Sequence, residues 1–459
     1  MNAISMSDAA MRFGGTLLNP DASFERVCID SRRVEGGDLF VALPGENHDG
    51  HHFIGQIADK ISAAVVTHRC AEVDITQWVV DDTERALGNL AKMRRERFSG
   101  PVIAITGSSG KTSVKEYVAA ILTNSGVVHA TVGNYNNHVG LPLTLLDLPA
   151  KSDFLVLEMG ASGAGDIDYL CTVGRPSIAL VNNVQSAHMA GFGSLAGTAS
   201  AKAEIYSGLQ TDGIAILNLD LDYIDDWREL IGARRCLTFS VSDRQADLCA
   251  VDLQINGSGC YGFDLLINMG QTDSPIRCPI SLLIPGRHAV ANALAAAACA
   301  LAAGATEEDI ATGLNTQKAL AGRLQEITLD GGGRAFDDTY NASPESSMAA
   351  IDVLARCAGR RILVLGDMAE LGSQSAQLHR SVGDYARRSG VDELLTLGSR
   401  SIAASDAFGG KHFAELADLG NYLNTLGDTS TTTFMVKGSR SSAMERVIEV
   451  LSRRGNVQC

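Results

Sequence analysis

Short apolar runs separated by stretches of helical spacing mark the first part of the chain. Apolar runs at 27–29, 39–43, 63–67 and 78–80 predict strands, and the spacing over 83–97 predicts a helix. A charged segment, K-M-R-R-E-R-F-S-G-P, then leads to Pro101. We therefore predict a small α/β module over residues 1–98.

The central region, residues 99–321, repeats the alternation with longer elements. Residues 102–106 predict a buried strand, and the apolar positions of 111–124 fall at helical spacing. Further buried strands are predicted at 154–157, 178–181 and 214–217. Helical patterns separate the first three strands of the region, as is typical of a parallel sheet. Over 236–285 the pattern changes to short strands and glycine-rich turns, which predicts an antiparallel patch before an alanine-rich helix at 292–303.

The last region, residues 322–459, alternates in the same way. Strands are predicted at 362–365, 394–397 and 433–436, and helices at 377–389 and 441–451. This order indicates a second doubly wound α/β unit of Rossmann-like type. The whole chain is thus predicted to be an α/β protein of three domains.

Composition narrows the class of protein. A length of 459 residues suits about three domains of roughly 150 residues each. The 53 acidic residues outnumber the 38 basic ones, which argues against a nucleic-acid binder but leaves anionic ligands open. Ten scattered cysteines form no C-x-x-C pair, and no signal-type or membrane-spanning apolar run occurs. These features predict a reduced, cytoplasmic, soluble protein without membrane insertion.

The strongest chemical signal is a glycine- and serine-rich loop between the strand at 102–106 and the helix that follows. Such a loop directs backbone N–H groups toward phosphate oxygens, and the helix N-terminus adds a positive partial charge. The loop is shorter than G-x-x-x-x-G-K-[ST], because Ile105 stands where the first glycine would be. The residues predicted to bind nucleotide here are Thr106, Gly107, Ser108, Ser109, Gly110, Lys111, Thr112 and Ser113. Lys111 would reach the β/γ-phosphates, and Thr112 would bind Mg²⁺.

Three further residues, Glu158, His188 and Lys202, are candidates for function because of their order along the chain. Glu158 ends an apolar strand, where ligands bind in open α/β sheets, and a carboxylate there suits Mg²⁺. His188 lies in the loop after the next strand, and Lys202 lies 14 residues further on in a helical pattern. Each alone has an ordinary structural explanation. Their order behind a phosphate loop favours a functional role for all three.

At this point the chain resembles the Mur ligases, the ATP-dependent amide-forming enzymes of peptidoglycan precursor synthesis. The resemblance extends over nearly the whole sequence. It is carried by D-S-R at 30–32, G-D-L-F at 37–40, D-G-H-H-F-I at 49–54, G-N-Y-N-N-H-V-G-L-P at 133–142, Gly322-Arg323, D-T-Y-N-A-S-P at 338–344 and G-D-M-A-E-L-G at 366–372.

The resemblance implies substrates and site residues. Domain one would hold the uridine end of UDP-MurNAc-tripeptide, and domain three would help to bind the incoming D-Ala-D-Ala. The implied substrate-binding residues are Asp30, Ser31, Arg32, Asp49, Asn134, Asn137 and Asn341. The implied catalytic residues are Lys111, Glu158, His188, Lys202 and Arg323.

It also implies ATP and two Mg²⁺ ions as cofactors. Thr112 and Glu158 would hold the first ion. Lys202 would carry a carbamate that, with Glu158 and His188, holds the second. Asn292 would contact adenine, and Asp338 with Arg323 would reach ribose and γ-phosphate from domain three. A monomer is expected.

Departures from the family pattern and other classes of protein remain to be weighed. Ala289 stands where relatives often carry the first asparagine of G-x-H-N-x-x-N. No D-N-P-R segment occurs, which favours the dipeptide-adding member over the one that adds the third amino acid. A ligase similar to folylpolyglutamate synthetase would lack the uridine module, and a GTPase would be expected to carry N-K-x-D, which is absent. A non-catalytic nucleotide-binding regulator could lose Glu158, His188 or Lys202. The histidines of D-G-H-H are interpreted as part of a turn rather than as metal ligands.

Overall fold

The computed structural model describes residues 4–45, 48–185, 189–268, 275–330 and 332–453. In domain one, four parallel strands and one antiparallel edge strand form a sheet of order β2-β7-β6-β5-β4, beside a small β1-β3 pair. Its elements are β1 (Ile4–Ser5), α1 (Met6–Phe13), β2 (Thr16–Leu18), β3 (Ser23–Phe24), β4 (Val27–Cys28), β5 (Asp38–Val41), α2 (Ile54–Ile57), β6 (Ile61–Val66), β7 (Thr76–Val79) and α3 (Thr83–Arg95).

Helix α3 joins this domain to the next. Asp82 caps its first turn by accepting a hydrogen bond from the Arg85 amide, 2.9 Å long. At its other end the buried guanidinium of Arg95 donates to the carbonyl oxygens of Gly174, at 2.7 Å, and Arg175, at 2.9 Å. Burial lowers the pKa of Arg95 to about 10. A buried cation held by main-chain oxygens of domain two therefore fixes the helix against it.

Domain two contains the largest sheet, of order β16-β15-β14-β13-β12-β11-β8-β10-β9 within the described residues. Strands from β9 to β14 in this order pair in parallel, and β14, β15 and β16 pair antiparallel. The elements are β8 (Val102–Thr106), α4 (Lys111–Leu122), β9 (Val128–Ala130), α5 (Gly140–Leu146), β10 (Phe154–Glu158), α6 (Asp166–Gly174), β11 (Ile178–Val181), α7 (Met189–Phe192), α8 (Leu195–Ser207), β12 (Ile214–Asn218), α9 (Ile224–Ile231), β13 (Arg235–Ser240), β14 (Leu248–Ile255), β15 (Cys260–Ile267), β16 (Ile276–Pro285), α10 (Arg287–Ala302) and α11 (Glu307–Thr316).

The strand order changes direction at β8. The chain proceeds from β8 to β9 and β10 on one side and then crosses to β11 on the other side of β8. In an open α/β sheet such a reversal opens a crevice beyond the carboxyl ends of the strands. The alanine-rich helix α10 covers this sheet, with eleven buried residues along its length, and its small side chains let it approach α4 closely. The crevice thus lies between the ends of β8, β10 and β11.

Domain three contains a sheet of order β17-β18-β22-β19-β20-β21, parallel except for the edge strand β17. The parallel, doubly wound arrangement confirms the predicted fold class. The elements are β17 (Gln325–Thr328), β18 (Arg334–Asp338), α12 (Pro344–Ala355), β19 (Arg360–Gly366), α13 (Ser375–Arg388), β20 (Glu393–Leu397), α14 (Ile402–Phe408), β21 (Lys411–Phe413), α15 (Leu416–Thr425), β22 (Thr432–Lys437) and α16 (Glu445–Arg453).

The structure corrects some predicted elements. The antiparallel patch is confirmed, but its first strand, β13, pairs in parallel with both neighbours. The helix predicted at 441–451 is wrong at its start, because Ala443 has a φ of +46° and separates a short 3-10 turn, Arg440–Ser442, from α16. The strand β18 was missed because three of the five residues in its sequence, R-A-F-D-D, are charged. No helix in the described part of the chain is long and apolar enough to cross a membrane.

A buried histidine holds the loop that follows β19. Nε2 of His379 accepts a hydrogen bond from the Met368 amide, 2.9 Å long, and Nδ1 lies 2.8 Å from the Ser375 carbonyl oxygen, to which it donates. This pairing requires the neutral ring, because a protonated Nε2 could not accept. Burial lowers the pKa of His379 from its ordinary value of 6.5. The G-D-M-A-E-L-G segment is therefore held in place by a neutral imidazole.

We expect this histidine to make stability depend on pH. The unfolded chain binds a proton at His379 at higher pH than the folded chain does, so its contribution is complete above about pH 6.5 and declines as the pH falls below that value. The midpoint of thermal unfolding at pH 8 and pH 5.5, compared between wild type and His379→Gln, measures the effect. The variant retains an amide oxygen as acceptor, and its midpoint should decrease less on acidification. Equal decreases in both proteins would contradict the assignment.

Candidate active site

A large cavity, of about 1560 Å³, lies where the carboxyl ends of the central strands face domain three. Most of the predicted nucleotide and substrate residues line it, although the two sets come from distant parts of the chain. Those in the lining are Ser108, Ser109, Gly110, Lys111, Thr112, Ser113, Asn134, Asn137, Glu158, Asn292, Arg323, Asp338 and Asn341. The fold therefore brings the central loop and domain three to one space.

The loop between β8 and α4 has the shape that its glycines allow. Gly110 has a φ of +74°, and a Cβ there would lie 2.6 Å from Asn292 Oδ1 and 2.7 Å from Asn182 Nδ2. Only glycine fits this position without displacing both amides. Lys111 Nζ donates to the Gly107 carbonyl oxygen across the loop, at 2.8 Å. The loop is thus closed on itself at its basic end.

Two amides of this loop differ from the expectation. The Ser108 amide donates to the Asn183 carbonyl oxygen at 3.1 Å, and the Ser109 amide donates to Asn183 Oδ1 at 2.9 Å. Both are therefore bonded to the strand-end loop after β11 rather than directed freely at a phosphate. Helix α4 begins at Lys111 with no side-chain cap, so its first-turn amides are the donors that the loop offers to an anion.

Glu158, at the end of β10, is the centre of a chain of hydrogen bonds. Its Oε2 accepts from Thr112 Oγ1 at 2.7 Å, and its Oε1 accepts from Asn136 Nδ2 at 2.7 Å. Thr112 Oγ1 in turn accepts from the Arg323 guanidinium at 2.9 Å. Arg323 belongs to domain three and stacks on the Tyr340 ring, 4.2 Å from its centre. Residues of two domains therefore meet at one carboxylate.

The donor set around Glu158 fits Mg²⁺ delivered with a phosphate. Mg²⁺ is held in many nucleotide sites by one or two protein oxygens, with phosphate oxygens and water completing the octahedron. Glu158 and Thr112 supply one carboxylate and one hydroxyl. The residues described contain no group of three or more histidine, cysteine, aspartate or glutamate side chains able to hold an ion by themselves.

Thr106, the last residue of β8, also indicates that the site binds a polar group. Its hydroxyl is buried and has no hydrogen-bond partner within the described part of the chain, directly before the phosphate loop. A buried hydroxyl without a partner loses its hydration without compensation. This supports a polar ligand or water at the start of the loop.

Lys202 lies on α8 with only 2% of its surface exposed. Burial, and then the nearby charge of Lys111, lower its pKa to about 7. Its Nζ lies 5.6 Å from the centre of the Phe192 ring and has no hydrogen-bond or ion-pair partner among the described residues. His188, predicted to act with Lys202, lies outside the described residues. The protonated form of Lys202 is therefore disfavoured by burial and by the nearby positive charge of Lys111.

The predicted residues of domain one do not line the cavity. Asp30 caps the short turn Ser31–Arg33 and binds the Arg32 guanidinium, which lowers the pKa of Asp30 to about 2. Asp49 accepts from the His51 amide at 2.9 Å and lies 2.6 Å from His51 Nδ1. The D-G-H-H segment thus forms a turn, as interpreted from the sequence.

Two residues of the site, Asn136 and Lys437, were not predicted as site residues. Asn136 lies inside the G-N-Y-N-N motif, which was the available signal for a site residue. Its partner Glu158 lies 22 positions further along the chain. Lys437, only 3% exposed at the end of β22, donates to Asp338 Oδ2 at 2.6 Å and to the Asn341 carbonyl oxygen at 2.9 Å. Its place at the carboxyl end of a predicted strand was the available signal.

Family models match the chain in three segments, described as the Mur ligase family catalytic domain at 23–95, the Mur ligase middle domain at 105–300 and the Mur ligase glutamate ligase domain at 322–455. The chain belongs to the Mur ligase family. The UDP-N-acetylmuramoyl-tripeptide–D-alanyl-D-alanine ligase of Escherichia coli strain K12 is 42% identical to it over 99% of this chain and 100% of the relative.

Solved structures agree in fold over the same length. The crystal structure of MurF from Acinetobacter baumannii is 34% identical, with a TM-score of 0.90 over 98% of this chain and 99% of that one. MurF from Thermotoga maritima in complex with ADP is 28% identical, with a TM-score of 0.82 over 94% of this chain and 98% of that one. The three-domain α/β architecture is therefore that of the dipeptide-adding members of the family.

Proposed function

We propose that this chain ligates D-alanyl-D-alanine to UDP-N-acetylmuramoyl-tripeptide with consumption of ATP, in the cytoplasm, as a step of peptidoglycan precursor synthesis. The observation that carries the proposal is the Glu158–Thr112–Arg323 chain, which joins the phosphate loop of domain two to domain three. Full-length similarity to ligases of this name supports the same conclusion. A monomer contains every proposed site residue.

Amide formation from a carboxylate requires activation, because a carboxylate is a poor electrophile. ATP, when bound, supplies a phosphoryl group that converts the tripeptide carboxylate to an acyl phosphate, from which the attacking amine of the dipeptide displaces phosphate. The residues of the chain hold and orient the anions and neutralise their charge. Lys111 and the first-turn amides of α4 hold phosphates, and Thr112 with Glu158 would hold Mg²⁺.

Remaining roles follow the cavity lining and the family resemblance. Arg323 faces the phosphates from domain three, while Asn292 contacts the adenine and Asp338 the ribose. Asn134, Asn137 and Asn341 orient the peptide part of the substrate. Asp30, Ser31, Arg32 and Asp49 belong to the uridine-binding part of domain one. His188 would share a second Mg²⁺ with Glu158.

Lys202 is proposed to carry a carbamate. A bare ammonium next to Lys111 is repelled, whereas a carbamate would attract the same neighbour and could act as a metal ligand. Carbamate formation uses the neutral amine, which the lowered pKa of Lys202 favours. The burial of the Lys202 side chain close to the charge of Lys111 supports the modification.

The activity is tested by incubating the purified chain with ATP, UDP-MurNAc-tripeptide and D-Ala-D-Ala and measuring products by mass spectrometry. We expect UDP-MurNAc-pentapeptide and ADP in equal amounts. Matched reactions replace the dipeptide by a single amino acid, or the nucleotide peptide by a folate. Product in either of these reactions, and none with the dipeptide, would assign the chain to another amide ligase.

Arg323→Ala is expected to slow ligation by at least about tenfold while ATP still binds to domain two. The guanidinium contributes a charged donor at Thr112 from the other domain, and hydrogen bonds to charged groups are worth about 1.5–3 kcal/mol. Ligation rate and ATP affinity are measured separately. Arg323→Lys keeps the charge but loses the planar stack on Tyr340, so its ligation rate should lie between those of the wild type and Arg323→Ala. Wild-type turnover in Arg323→Ala would exclude this role.

A further inference from the structure

The acceptor dipeptide of the proposed reaction carries a free carboxylate, and recognition of a carboxylate normally uses a lysine or arginine. Among the described residues that line the cavity, four carry such a charge, namely Lys111, Arg323, Lys437 and Arg440. The first is in the phosphate loop. The second donates to Thr112, and the third is buried against Asp338. Arg440 is the one that serves no nucleotide-binding group.

The guanidinium of Arg440 has donors to spare. It lies in the short turn Arg440–Ser442, directly after β22, with 69% of its side chain exposed. Its Nη1 donates to Glu445 Oε1 at 3.1 Å, and the described residues offer no other side-chain partner. A guanidinium has five N–H donors in a fork that matches a carboxylate. Ser439 and Ser441, whose hydroxyl oxygens lie 3.1 Å apart, also line the cavity.

The loop that presents Arg440 is held firmly. The carbonyl oxygen of Asp367 accepts from the Ser439 amide at 2.9 Å and from Ser442 Oγ at 3.0 Å. The carboxylate of Asp367 accepts from the amides of Arg400 and Ser401, at 2.9 Å and 2.8 Å. Asp367 belongs to the G-D-M-A-E-L-G motif, for which the proposed function so far has no role. One aspartate thus fixes the Arg440 turn to the neighbouring loops.

We propose that Arg440 binds the free carboxylate of the acceptor dipeptide and so selects acceptors with an unblocked C-terminus. This inference rests on the proposed function. Asn341, Ala342, Ser343 and Glu345, which follow β18, also line the cavity and bring no cation to it. The charge that an acceptor carboxylate needs in domain three is then supplied by the turn after β22.

The test compares D-Ala-D-Ala with its amide, D-alanyl-D-alaninamide, which lacks the carboxylate charge. The wild type should show a KM at least about tenfold lower for the free acid, because charged hydrogen bonds contribute this much or more. In Arg440→Gln the KM for the acid should rise about tenfold or more, so that the preference disappears, and the KM for ATP should not change. Arg440→Lys should keep part of the preference. Arg387→Gln, an exposed arginine of the same domain away from the cavity, is the matched control.

The outcomes separate two failures. If wild type ligates the dipeptide and Arg440→Gln retains the preference for the acid, the assignment of Arg440 is overturned while the proposed function stands. Equal increases of the KM for acid and amide would also overturn it, because they would indicate a general disturbance of the loop. If wild type ligates neither dipeptide but accepts another class of amine, the proposed function fails, and this assignment fails with it.

Discussion

Lys111→Ala is expected to abolish ligation, with a loss of at least about 10²–10³ in rate. Lys111 begins α4 and bridges the loop to the Gly107 carbonyl oxygen, so its charge lies where the phosphates would meet the helix N-terminus. Desolvation lowers the pKa of this ammonium, and the nearby charge of Glu158 opposes that shift. The measurement is the initial rate of pentapeptide formation at saturating ATP and substrates.

The control for this variant must separate charge from folding. Lys151→Ala removes an exposed lysine of the same domain and should leave the rate unchanged. The midpoint of thermal unfolding of Lys111→Ala should remain close to that of the wild type. A folded variant with near wild-type turnover would contradict the phosphate role of Lys111.

Lys202→Ala is the second variant expected to lose almost all activity, because a metal ligand would be lost if the lysine carries a carbamate. Short carboxylates such as acetate could enter the vacated space and should restore part of the rate. Lys202→Arg should be inactive and should not respond to acetate, because the guanidinium fills the site and keeps its positive charge.

A direct observation of the carbamate complements these rates. Protein equilibrated with ¹³C-labelled bicarbonate should give a carbamate carbon signal in NMR spectra, and Lys202→Ala should lack it. Lys151→Ala, which changes an exposed lysine, should retain the signal. Substantial activity in Lys202→Arg, or an active enzyme with no such signal, would contradict the carbamate. Lys202 would then act only as a cation near the phosphates.

The sequence predicted the central strands well because their physics is local. Residues 102–105 and 178–181 are apolar throughout, as expected for strands covered on both faces, and the predicted bounds 102–106 and 178–181 agree with the structure. The turn around Ala443 was not predicted, because an alanine gives no local signal for a left-handed backbone with a φ of +46°. Local pattern therefore gave the layers, and tertiary contacts set the ends of some helices.

The candidate site divides in the same way. Thr112 and Glu158 were predicted as partners, because a phosphate loop and a strand-end carboxylate converge at one edge of a parallel sheet. The pairing of Lys437 with Asp338 joins residues 99 positions apart, and no spacing rule connects them. Asn183 could not have been assigned to the loop amides, because its contact depends on the register of β8 against β11.

The position of Gly110 between two asparagines has a consequence for how the nucleotide site responds to mutation. Asn182 Nδ2 bonds both the Ser109 carbonyl oxygen, at 3.1 Å, and Asn292 Oδ1, at 3.0 Å. The phosphate loop and the first turns of α10 are therefore parts of one hydrogen-bonded unit, although 110 residues separate the asparagines. Residues in such a unit have non-additive free energies. A mutation at the adenine end and a mutation at the phosphate end would therefore not have additive effects on nucleotide binding, because both ends contact the same hydrogen-bonded unit.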